Sequence, residues 1–185
     1  MTLSDVKEYA ALRVEPLDEA CREWNEKALL PVGYECNNLF LTDWDETDFG
    51  ELDFYDLFDV FYPQIYHRKI PWQSGKNAGN STGYGIPSKE FESVIQKFLN
   101  VKTDILREKT IYREKDDTYE YYPRGFYESE YPEHPYPEVT AFQENDDGTV
   151  TLTVHAVFPY LGSSRALVHE VTVRPMENAA AAVQY

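Results

Sequence analysis

The sequence predicts an α+β fold in which N-terminal helices pack on a C-terminal antiparallel β-sheet, a meander. Two observations carry that expectation. Before residue 110, apolar residues recur at helical spacing between Pro and Gly punctuation. Beyond Thr110 the apolar period drops to two, and turn residues separate the alternating runs. Helices first and strands afterwards argue for segregated layers. The 185 residues suit one α+β domain: a helical part over 1–70, a flexible Gly-rich loop over 71–87, and a helix plus sheet over 88–185.

Three helices are expected, with a short fourth. Leu17, Ala20, Cys21, Trp24 and Ala28 form the first apolar stripe, after Pro16 and before Leu29-Leu30-Pro31. Pro31 should end it, because proline disfavours the helical conformation of the residue before it. Asp53 should cap the second helix, with Phe54, Leu57, Phe58 and Phe61 as its stripe and Pro63 as its stop. "SKEFESVIQKFLN" is the third: Ser88 as cap, Glu90 in the first turn, and Phe91, Val94, Ile95, Phe98 and Leu99 on one face. Thr103 is placed to cap a short turn, "DILR".

Strands follow. "TIYRE" and "TYEYY" flank Lys115-Asp116-Asp117, and "PYPEVTAFQE" and "GTVTLTVHAVFP" flank Asn145-Asp146-Asp147-Gly148. "ALVHEVTVRP" is a further strand. If Glu144 pairs with Thr149, Glu138 faces His155, Val139 faces Val154 and Ala141 faces Leu152. Matching apolar faces then sets Val154 against Val171 and His155 against Glu170. Val139, Ala141, Val150, Leu152, Val154, Ala156, Val171 and Val173 become the core face, covered by the helix from Ser88. The opposite face carries a Glu138–His155–Glu170 row beside Thr140, Thr153, Thr172 and Arg174. Two acids could raise the His pKa, or offer a metal two oxygens and a nitrogen. An exposed sheet face with charges paired across strands, each pair contributing about 0.2–1 kcal/mol, is the plainer account. His169 has core-face parity and is read as a hydrogen-bonded buried His.

Composition narrows the function. A net charge of −16, from 33 acidic and 17 basic residues, disfavours nucleic acid and anionic lipid as partners. No stretch of 18 apolar residues is present, so no transmembrane segment is expected, and "MTLSDVKEYA" has no signal-peptide core. Cys21 and Cys36 are too few for a zinc site; a bridge between them would need an extracytoplasmic setting. Neither has a nearby His to activate it as a nucleophile. "LFLTDWDETDF" contains Asp43-x-Asp45-x-Thr47, the nucleophile pattern of haloacid-dehalogenase phosphatases, but no alternating strands and helices follow. As a calcium loop it would have Asp48 where Gly belongs and Phe54 where Glu belongs. Asp43 is therefore read as part of a solvated acidic loop, with a loose calcium site among Asp43, Asp45, Asp48 and Glu51 as the alternative. "PWQSGKNAGNSTGYGIP" fails as a P-loop: Ile70 stands where its first Gly belongs, and no Ser or Thr follows Lys76. No cofactor or catalytic motif stands out.

"IPSKEFESVIQKFLNVKTDILR", "TYEYYPRG", "PYPEVTAFQENDDGTVTLTVHAVFP" and "HEVTVRP", spanning 86–175, resemble a family of domains of unknown function from Gram-positive anaerobic bacteria, often predicted lipoproteins. The resemblance implies an extracytoplasmic or cell-surface setting and an aromatic final strand, from which "MENAAAAVQY" departs; the absence of a leader leaves a cytoplasmic setting open. The resulting expectation is a non-enzymatic bacterial envelope or surface binding module. An aromatic rim including Trp72, Tyr84, Phe126 and Tyr127 would meet carbohydrate or protein. A hydrolase using the Glu138–His155–Glu170 row and a structural domain of a larger assembly are the alternatives. The sheet is expected to be of the cystatin or NTF2-like kind.

Overall fold

The structure, a computed structural model, describes residues 17–71, 83–122, 134–176 and 182–185. Among the described residues, four α-helices and two antiparallel sheets make an α+β fold. Helix α1 (Glu19–Trp24) is capped by Asp18, whose carboxylate accepts from the Ala20 and Cys21 amides. It continues as a π-helical turn, Asn25–Leu29, instead of the uniform helix expected. Asp53 caps α2 (Phe54–Tyr66) as expected, and Phe54, Leu57, Phe58 and Phe61 are fully buried. Pro63 does not stop that helix. It sits inside, forfeiting one backbone donor, and the chain leaves only at His67, a left-handed C-cap.

The end of the loop expected over 71–87 is instead strand β1, Tyr84–Pro87, with buried Ile86 at its centre; residues 72–82 of that loop lie outside the described residues. Helix α3 (Ser88–Phe98) follows at once. Ser88 is its first residue, with no side-chain cap, and its amide donates to the Asp117 carbonyl. Helix α4 (Thr103–Lys109) likewise starts on Thr103 and is not capped by it. Strands β2 (Tyr112–Arg113) and β3 (Thr118–Tyr121) form the expected hairpin; with β1 they make a three-stranded sheet, order β1-β3-β2. The predicted face of α3 is buried, but its partners differ from the expectation. Phe91 stacks on Phe58 and Tyr119, and Phe98 on Phe61 at 4.1 Å. The helix therefore lies between α2 and the small sheet rather than over the large one.

The large sheet, β4-β5-β6-β7, comprises β4 (Tyr136–Glu144), β5 (Val150–Phe158), β6 (Ser163–Pro175) and β7 (Val183–Gln184). Two sheets thus replace the single meander. The first hairpin pairs Glu144 with Val150, not Thr149. Gly148 takes φ +80°, which allows a three-residue loop closed by the bond from Asn145 N–H to Thr149 C=O. A bulge between Val139 and Ala141 then shifts the ladder back, restoring Val139 opposite Val154 and Glu138 opposite His155. Ala141 is consequently exposed, opposite Thr153, instead of in the core. Val139, Val150, Leu152, Val154, Ala156, Val171 and Val173 are buried, and one hydrophobic core cluster joins them to the helices and the small sheet. After β7, Tyr185 closes the chain: its hydroxyl donates to the Ala28 carbonyl and its amide to that of Phe98 at 2.7 Å. No described helix is long and apolar enough to cross a membrane.

Candidate functional site

The expected Glu138–His155–Glu170 row is not assembled. Glu138 and His155 are opposite, with Glu138 buried and His155 half-buried, but His155 faces Val168 on β6 and Glu170 faces Thr153. The β5–β6 ladder is two residues from the apolar match. A two-residue slip keeps every side chain on its face, so alternation cannot detect it. The connection and an irregularity beside it set the register: a 3₁₀ turn, Pro159–Leu161, ends on left-handed Gly162 and puts Phe158 against Ser163, and a shift between Ala156 and Phe158 then moves the ladder by two residues to Ala156 opposite Leu167. Arg174 is also elsewhere. It donates to the Asp147 carbonyl at 3.1 Å, holding the β4–β5 hairpin from β6. Among the described residues no three His, Cys, Asp or Glu side chains cluster to hold a metal. Trp72, Phe126 and Tyr127 lie outside the described residues; Tyr84 is half-buried on β1.

A cleft lies elsewhere. It measures ≈ 880 Å³ and runs between the loop 39–46 and β6 residues 167–172, with Tyr185 at its base. The loop is the acidic stretch singled out in the sequence, and it forms no part of a parallel sheet. Its geometry is fixed from within. Asn37 takes the Leu39 amide and donates to the Val32 and Glu35 carbonyls. The Trp44 indole donates to the Leu39 carbonyl, and its ring stacks on Phe49. Asp45 accepts from the Thr47 hydroxyl and from the Thr47 and Asp48 amides, which lowers its pKa. Asp45 thus serves a turn, as Asp commonly does.

His169 stands in the cleft on β6. Its ring stacks on Phe40 at 5.7 Å and meets Tyr34 edge-on at 5.8 Å. The Tyr34 hydroxyl is 2.7 Å from Nε2. With the ring neutral and protonated on Nδ1, that hydroxyl donates. Burial lowers the His169 pKa and raises that of Tyr34, both favouring the neutral pair. His169 is thus the hydrogen-bonded, part-buried residue its parity indicated. Tyr185 packs edge-on against Phe40, 5.9 Å away. Apolar side chains reach solvent at the mouth: Leu41 is 54% exposed, Leu167 40% and Val168 41%. Asp43, Asp45, Glu46 and Glu170 line the cleft, and among the described residues no Lys or Arg lines it.

Both cysteines favour the protonated thiol. Cys21 is buried, and desolvation together with Asp18 pushes its thiol up to about 11. Cys36 is exposed, but partial desolvation and the carboxylates of Glu35, Asp56 and Asp59 raise it too. Both are free thiols.

Sequence reasoning found the loop but not the cleft. The available signal was Phe40, Leu41 and Trp44 interleaved with acids, an apolar content that a merely solvated loop does not need. Tyr34 and Tyr185 lie 135 and 16 positions from His169 and join it only through the fold, so no local pattern marks them.

The molecule is an α+β protein with an acidic, aromatic-floored cleft. The chain belongs to DUF6070, a family of unknown function, whose model matches residues 1–185. No curated protein and no solved structure matches it.

Proposed function

We propose that the chain is a non-enzymatic binding module whose ligand occupies the cleft between loop 39–46 and β6. The observation that carries this is a preorganised cleft of ≈ 880 Å³ with an aromatic floor, solvent-reaching apolar side chains and four carboxylates. A site of that size with a few fixed polar groups suits a ligand. Its chemistry favours holding over reacting: His169 is engaged by Tyr34 and stacked on Phe40, and no Ser, Cys or Lys is among the lining residues. The envelope setting belongs to the same proposal and rests on the sequence resemblance.

Protein-observed NMR with a library of fragments and short peptides tests the reading. Hits should shift the amides of 40–46 and 167–172 together. Leu41→Asp, at an exposed position, should weaken them at least tenfold without changing the melting temperature. Hits confined to other surfaces would overturn the proposal.

A further inference from the structure

Among the described residues, strand β6 has an open edge along the cleft. It pairs with β5 from Ser163 to Val173, but on its other side β7 reaches only Arg174 and Pro175. Among the described residues no backbone hydrogen bond occupies that other side between 165 and 173. In an antiparallel strand, alternate residues turn both N–H and C=O to a given edge. Residues 167–172 therefore offer about 20 Å of unpaired ladder, enough for a six-residue strand. The opposite edge of the sheet differs, because Asn25 Oδ1 already accepts the Val139 amide of β4.

Resting on the binding-module reading, we infer that the cleft takes an extended, positively charged peptide, which adds to β6 as an antiparallel or parallel strand. Backbone pairing supplies affinity in this mode, and alternate side chains supply specificity. Peptide side chains on one face meet Phe40, Leu41 and His169; those on the other run beside Val168, Glu170 and Thr172. Asp43, Asp45, Glu46 and Glu170 select cations, since among the described residues no basic side chain lines the cleft. The same carboxylates argue against a second copy as the occupant. Edge-to-edge pairing of two β6 strands would bring like charges together on chains that each carry −16.

Four blocked heptapeptides, the last two a pair of N-methyl registers, test this by fluorescence anisotropy with the full chain. One alternates Lys and Val, one has Glu for Lys, and two are the Lys form N-methylated at alternate residues, one in each register. The Lys peptide should bind at least tenfold tighter than the Glu form, and weaken at least tenfold between 50 and 500 mM salt. One N-methyl register should lose at least tenfold and the other should be tolerated. Asp43→Lys with Glu170→Lys, both exposed positions, should invert the charge preference. If both N-methylated registers bind like the parent while amides of 40–46 shift, strand addition is wrong and the binding module stands. Equal binding of the Glu form overturns the cationic ligand. Self-association through β6 in ultracentrifugation would replace the peptide with a second copy. If no probe shifts the cleft amides, the binding-module reading itself fails.

Discussion

Phe91→Ala is the substitution that most tests the helical layer. The Phe91 ring is fully buried, 4.4 Å from Tyr119 and 5.0 Å from Phe58 in stacked pairs, and 5.5 Å from Tyr55. Truncating a buried Phe to Ala costs about 3–5 kcal/mol through lost transfer energy and the cavity left behind. Aromatic pairs are worth about 0.5–1.5 kcal/mol each beyond their area, but three pairs sharing one ring do not add fully. The upper end, about 4–5 kcal/mol, is therefore expected, against a typical total stability of about 5–15 kcal/mol. Urea unfolding followed by circular dichroism measures it. With an m-value of about 2 kcal/mol/M, the midpoint should fall by about 2 M. Phe142→Ala is the control, because that ring sits at the solvent-facing end of β4 and touches Trp24 only at 6.4 Å. It should cost less than about 1.5 kcal/mol. A Phe91→Ala cost below about 1.5 kcal/mol would refute the account of α3 as the layer between α2 and the small sheet.

His169 should titrate below the ordinary value of about 6.5 in an NMR pH series, since burial disfavours its charged form. The unfolded chain then takes up this proton at higher pH than the folded one. The stabilisation is present above about pH 6.5 and is lost as pH falls toward the folded pKa, and His169→Gln should remove that slope. A His169 pKa at or above 6.5 would contradict its placement. Gly50→Ala should cost more than about 2 kcal/mol, because φ is +48° and the new Cβ would lie 2.6 Å from the Asp43 carbonyl oxygen. Gly148→Ala meets open space at φ +80° and should cost about 1–2 kcal/mol for the backbone alone, so thermal melts should rank the two in that order. Asp43→Asn should leave stability within about 0.5 kcal/mol, the range of an exposed surface change; phosphate-ester hydrolysis that vanishes in this variant would revive the phosphatase pattern.

The pattern of local periods made much of the secondary structure legible. The stripes of α2 and α3 and the Asp53 cap depend on neighbours within one or two turns, and the sequence contains them. What each stripe packs against does not follow, because an apolar face is compatible with any other; α3 met a helix and a small sheet. The Glu138–His155 pairing was right for an incomplete reason. Gly148 shortens the loop and shifts the register by one residue, and the bulge at Val139/Ala141 shifts it back. Glu170 was misplaced because a two-residue slip preserves both faces. The cleft itself depends on β6 meeting a loop more than 120 positions earlier, and only tertiary structure joins them.

The most direct test of the cleft as a ligand site is a titration of the ¹⁵N-labelled chain with the alternating Lys-Val heptapeptide at about 0.15 M salt. The account predicts saturable shifts in residues 40–46 and 167–172, with the edge-facing amides of β6 gaining protection from hydrogen exchange. Shifts on β4 or scattered over the acidic surface, with residues 167–172 unmoved, would contradict it.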